Sequence, residues 1–202
     1  MKHIQPKTMM VIKAVLTANR FSQRGLRKLC GDSVSVGQIS KVMVELRRNG
    51  FVERSKGPDR TRYVLADPLG LLLYVALFRS MNELRVFGLN LAAKESDIIA
   101  ELGGRGAVFC LGTAMERYAA YYRPGEVSFY ADDWEAIKKY LDTAQPGNTT
   151  VCCYGPVERD PLSVINDEIA FTAKVQTVID MFCDGKGAYT KPLLRELWGV
   201  DM

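Results

Sequence analysis

A capped helical repeat that runs straight into two short alternating runs constrains residues 35–66 more than anything else in this chain. Ser35 precedes a stretch reaching Asn49 in which Ile39, Val42, Met43 and Leu46 recur at i, i+3, i+4 and i+7, with Gly50 just past the end. That spacing predicts a helix with one buried face. FVERSK and TRYVLA follow with strand-like alternation, separated by the turn residues Gly57-Pro58-Asp59, so a hairpin is expected. Upstream, residues 6–19 put Met9, Ile12, Val15 and Leu16 on one helical face behind a proline suited to a first turn. Ser22 then precedes a short helix in which Leu26, Leu29 and Cys30 share a face before Gly31.

Three helices and a hairpin in this order read as a winged helix-turn-helix. The charge distribution gives the reading a function. Residues 1–66 carry 14 Lys and Arg against 4 Asp and Glu, net +10, while residues 67–202 carry 13 against 19, net −6. A basic module of this kind is suited to a polyanion, here double-stranded DNA, with the third helix in the major groove and the hairpin as the wing. The helix face opposite the apolar one carries Gln38, Lys41, Glu45 and Arg48, with Ser35, Val36 and Gly37 at its leading turn. Ser35, Gln38 and Lys41 are the candidates for base or nearby phosphate contacts, and Arg24, Arg48, Lys56, Arg60 and Arg62 for phosphates. A winged helix used only for protein contacts is the alternative, and it leaves the cations without a purpose. Such modules usually meet operators as dimers, which makes a homodimer the expectation.

The rest of the chain narrows the class. The longest apolar run, LGLLLYVALF, is about half the ~20 residues a membrane-spanning helix needs, and the N-terminus lacks the pattern of a cleaved leader. The chain reads as cytoplasmic, with no membrane partner. Five cysteines (Cys30, Cys110, Cys152, Cys153 and Cys183) form an odd set without C-x-x-C spacing, and the single histidine is His3. Neither a zinc site nor a histidine-based triad is expected from such a set, and no cofactor is predicted. The adjacent Cys152 and Cys153 sit in a strand-like run, where neighbours point to opposite faces; buried thiols are the favoured reading over a redox or metal pair.

Residues 67–83 begin with Asp67-Pro68, a cap and a first-turn proline, and continue as a helix apolar on all sides, which predicts a connecting element or a dimer interface. From residue 84 to 202 short apolar runs alternate with helical patterns: LRVFGL, KESDIIAELGG, AVFCLG, TAMERYAAYY, EVSFYA, DDWEAIKKYLDT and TTVCCYG. This predicts an α/β effector domain with a mixed, largely buried sheet. Two helices separated by Gly185 and Gly187 close the chain. The whole is expected to be an α+β winged helix followed by that α/β domain.

The segments AVFCLGTAMERYAAYYRPGEVSFYADD and IAFTAKVQTVIDMFCDGKGAYTKPLLRELWG resemble the C-terminal domain of the AbiEi antitoxin family. The features that carry the resemblance are Leu111-Gly112-Thr113, Tyr121-Tyr122, Val127 to Tyr130, Lys174-Val175-Gln176, Ile179-Asp180-Met181 and Gly185, with Ala173 and Lys174 standing where the family has a small residue and proline. The resemblance implies a toxin-antitoxin system: a transcription repressor of its own operon whose second domain neutralises a nucleotidyltransferase-like toxin. Tyr121, Tyr122, Gln176 and Asp180 are the candidate partner contacts. Packing roles for the tyrosines, and a hydrogen bond across one helical face for Gln176 and Asp180, are the simpler readings.

Enzymatic readings fare less well. Nucleotidyl transfer needs two carboxylates on one strand face to hold magnesium, and the corresponding positions here are Glu126 and Ser128. The second ligand is missing, which leaves a non-catalytic relative of that fold or a ligand-responsive repressor as alternatives to the antitoxin. Gly103-Gly104-Arg105-Gly106 lacks the G-K-[ST] ending of a phosphate loop and precedes a strand, so a turn is expected.

Overall fold

A computed structural model describes residues 4–55, 62–121, 125–156 and 162–201. The chain is α+β, with ten α-helices among the described residues and two open sheets of three and six strands. It divides into two compact units, Met1–Arg79 with Leu194–Asp201, and Ser80–Leu193. The apolar helix expected as a connector therefore belongs to the first unit, and so does the C-terminal segment expected with the second.

In the first unit, helix α1 (Pro6–Ala18) buries Met9, Ile12, Val15 and Leu16, the four residues its periodicity marks. Strand β1 is only Arg20–Phe21 and is followed by α2 (Gln23–Cys30), whose first turn is capped by Ser22 accepting from the Gly25 amide at 3.1 Å. On α2, Leu26 and Cys30 are buried, but Leu29 is 40% exposed and not part of the core face expected of it. At 100° per residue Leu29 is turned 60° away from Leu26 and does not follow it inward.

A 3-10 turn (Gly31–Ser33) leads to α3 (Val36–Arg48), capped by Ser35, which accepts from the Gln38 amide at 3.2 Å. Ile39, Val42, Met43 and Leu46 are all buried. The helix stops because Gly50, at φ 78°, takes the left-handed conformation, letting its amide reach the Arg47 carbonyl and that of Phe51 the Leu46 carbonyl. Strands β2 (Val52–Arg54) and β3 (Tyr63–Leu65) pair antiparallel, and the ladder continues outward through the Ser55 amide to the Arg62 carbonyl at 3.0 Å. Strand β1 joins the other side of β3, giving the order β1-β3-β2. Helix α4 (Pro68–Phe78) follows, with Asp67 accepting from the Gly70 amide at 2.8 Å.

The second unit starts with α5 (Met81–Leu84) and strand β4 (Arg85–Leu91), then α6 (Glu95–Gly103), β5 (Val108–Phe109), α7 (Leu111–Tyr118), β6 (Glu126–Tyr130), α8 (Trp134–Leu141), β7 (Thr149–Tyr154), β8 (Val164–Asn166), β9 (Ala170–Thr172) and α9 (Lys174–Cys183). Helix α10 (Lys191–Trp198) comes last and passes from the second unit into the first at Leu194. The sheet order is β4-β7-β6-β5-β9-β8, with β7 parallel to β6, β5 parallel to β9, and the other neighbours antiparallel. The central strands are buried, whereas β4 at one edge is largely exposed.

Alternation along these strands separates two environments. On one face Phe109, Val127, Phe129, Val151 and Cys153 form a core with Ile98 and Leu102 of α6 and Ile137 and Leu141 of α8. The other face carries Ser128, Tyr130, Cys152 and Tyr154. Helix α7 packs against β6 and α9. Chain entry into α7 passes through Leu111, a buried non-glycine residue at φ 50°, a conformation that costs about 1–2 kcal/mol.

Candidate nucleic-acid interface

The fold of the first unit decides which side chains of α3 face outward. With Ile39, Val42, Met43 and Leu46 turned into the core, the opposite line of the helix runs through Gly37, Lys41, Val44 and Arg48, all exposed. Gln38 and Glu45, expected on that face, are about 100° and 80° round from Gly37 and stand on its shoulder. Gln38 is half-buried, and Glu45 lines a groove with Asn49, Tyr74 and Phe78.

Val44 is the residue that binary patterning does not find. It is 63% exposed in the middle of the outward line, between two cations. A single exposed apolar side chain is ordinary at a surface, and one set among cations can also meet an apolar group such as a thymine methyl. Gly37 is not required by the fold. A β-carbon there would meet only the Ser35 hydroxyl at 3.9 Å, so nothing inside the protein requires glycine in this first turn.

The same unit carries several exposed cations. Arg24, Arg27 and Lys28 on α2, Lys41, Arg47 and Arg48 on α3, and Arg54 and Arg62 at the hairpin are exposed. Arg27 is 3.8 Å from Asp32, a long pair at the surface. Ser35 is spent on capping α3, and the half-buried Ser40 donates to Gln23 at 3.4 Å. Lys13, which contributes to the basic count, is buried and is no part of the outer face. Lys56 and Arg60, expected at the hairpin tip, lie outside the described residues, as does Tyr122.

The partner contacts expected in the second unit are distributed differently. Gln176 and Asp180 are buried, with the Gln176 amide donating to the Asp180 carboxylate at 2.8 Å. They are an internal pair of α9 and offer no surface to a partner. A half-buried Tyr121 meets the exposed Tyr189 edge-on at 5.1 Å between ring centres. Burial raises the Tyr121 phenol above its ordinary value, opposed by the Lys186 ammonium. The Tyr118 hydroxyl donates to the Thr172 carbonyl at 2.7 Å, which is a packing role.

Glu126 accepts from the Ser128 hydroxyl at 3.0 Å and has the Lys186 ammonium at 3.5 Å; that ammonium also pairs with Asp184 at 2.9 Å. The Ser128 amide donates to Thr113 of α7 at 2.9 Å. Asp133 caps α8 through the Ala136 amide at 3.1 Å. Cys152 and Cys153 are both buried, on opposite faces of β7; burial pushes both thiols up, Cys153 to about 12. The glycines after α6 form its exit turn, with Gly106 at φ 79° ahead of β5. Among the described residues no three His, Cys, Asp or Glu side chains gather as metal ligands, and no helix is long and apolar enough to cross a membrane.

Compared with known proteins, the chain matches no family model, no curated protein and no solved structure.

Proposed function

We propose that this chain is a winged helix-turn-helix regulator that reads double-stranded DNA with α3 in the major groove and the β2–β3 hairpin as its wing. The observation that carries the reading is the outward line Gly37, Lys41, Val44 and Arg48. It combines charge, an exposed apolar group and a bare backbone position, none of which the fold uses internally. Exposed cations on α2 and at the hairpin belong to the same unit, and such groups are what phosphate contacts use. Its role as an antitoxin-type autorepressor rests on the resemblance of the second unit's sequence to AbiEi proteins.

Substitutions in the full chain test the docking. Replacing Arg48 by alanine weakens binding to every duplex and lowers the salt slope by about one unit, the behaviour of a phosphate contact. Lys41→Ala and Val44→Ala change which base pairs are preferred, by ~1–3 kcal/mol at the affected position. Binding left untouched by all three contradicts the model.

A second reading, a non-catalytic relative of the nucleotidyltransferase fold, is favoured by one arrangement. Strand β5 turns sharply into α7, Thr113 holds the Ser128 amide, and β6 carries the carboxylate of Glu126 with serine at the second ligand position. Magnesium-dependent nucleotide incorporation that disappears in Glu126→Ala would replace it with an active transferase.

A further inference from the structure

An open groove of about 370 Å³ in the first unit joins apolar walls to a carboxylate, with residues of α1, α3 and α4 as its lining. That volume falls among those of small-molecule sites, ~300–1,000 Å³. Ile12, Val42 and Leu46 line it and are themselves buried, so they form its floor. Tyr74 and Phe78 line it with ring centres 5.0 Å apart and planes at 60°. Two rings at such an angle can bound a cation on two sides.

The charge of the groove runs against that of its surroundings. Residues 1–66 carry 14 Lys and Arg against 4 Asp and Glu, yet the described residues lining the groove include Glu45 and no Lys or Arg. Glu45 has Lys41 four residues before it and Arg48 three after, the spacings at which helical neighbours meet. Its carboxylate pairs with neither, and among the described residues it has no hydrogen bond or ion pair.

We propose that this groove binds a small organic ammonium ion, with its charge between the Glu45 carboxylate and the Tyr74 and Phe78 rings and its hydrocarbon body on Ile12, Val42 and Leu46. Charge complementarity selects that occupant. An organic anion would meet Glu45, and an inorganic cation needs several oxygen ligands where this groove offers mostly hydrocarbon. A quaternary ammonium gains from the carboxylate, the rings and the apolar floor together. Val42, Glu45 and Leu46 belong to α3, so the ion touches the helix assigned to DNA; the site itself does not depend on that reading.

Calorimetric titration of the full chain without DNA tests the site, with benzyltrimethylammonium as the probe and benzyl alcohol and phenylacetate as its neutral and anionic counterparts. The cation should bind at least about tenfold more tightly than either. Glu45→Gln keeps the size of the side chain and removes its charge. It should weaken the cation about tenfold with the melting temperature unchanged, since the carboxylate has no partner among the described residues. Glu53→Gln, at an exposed acid on β2 of the same unit, should leave binding as it was. No binding of the cation at millimolar concentration, a counterpart bound as tightly, or an affinity that Glu45→Gln changes no more than Glu53→Gln does would overturn the proposal.

Discussion

The indole N–H of Trp198 donates to the Leu16 carbonyl at 2.8 Å, so a residue near the C-terminus completes the end of the first helix. Leu16 lies in the last turn of α1, where carbonyls have no partner within the helix. Trp198→Phe keeps an aromatic ring and removes the donor. A loss of about 1 kcal/mol in urea unfolding is expected, and an unchanged midpoint would show that the bond contributes nothing. A fragment ending at Arg79 should be less stable than the same unit in the full chain, because it lacks both Trp198 and the fully buried Leu194.

Gly37→Ala separates stability from recognition. Glycine costs the middle of a helix about 0.5–1 kcal/mol relative to alanine and its first turn no more than that, and the added carbon has open space here. The variant should therefore unfold at higher denaturant while binding DNA several-fold more weakly, since the carbon stands between the α3 backbone and the groove. Calorimetry beside a DNA titration reads both effects; undiminished affinity would remove Gly37 from the interface.

The buried thiols set an alkaline limit. Burial, chiefly, raises Cys153 from 9.0 to about 12, and Cys110 and Cys152 are raised in the same direction. In the unfolded chain these thiols ionise near their ordinary value, so they favour the native state fully below pH 9 and that contribution is lost as pH climbs toward 12. Urea midpoints should fall across that window, and Cys153→Ala should flatten the fall. At pH 8 the native protein should leave Cys153 unmodified by a thiol reagent that labels the urea-unfolded chain.

Helices α1 and α3 were legible because their apolar residues repeat over thirteen residues each. Strand β1, with two residues, and β8 and β9, with three each, are too short to carry any period and exist because neighbouring strands accept them. Leu29 escaped because an apolar residue beside a buried face is assigned inward, whereas Val44 lies off the apolar repeat of α3 and received no face from it. Gln176 and Asp180 escaped for the converse reason, since two polar groups that hydrogen-bond to each other can be buried together. On the candidate site, Lys41 and Arg48 were readable as the polar side of α3. The prominence of Gly37 and Val44 emerged only once the direction of the buried face was fixed.

The central claim is that the first unit reads DNA. Titrating the full chain against the duplex upstream of its own gene and against a scrambled duplex, at two salt concentrations, tests it most directly. The account predicts tight, sequence-selective binding that weakens steeply as salt rises. Binding no better than to the scrambled duplex at both salt concentrations would contradict it.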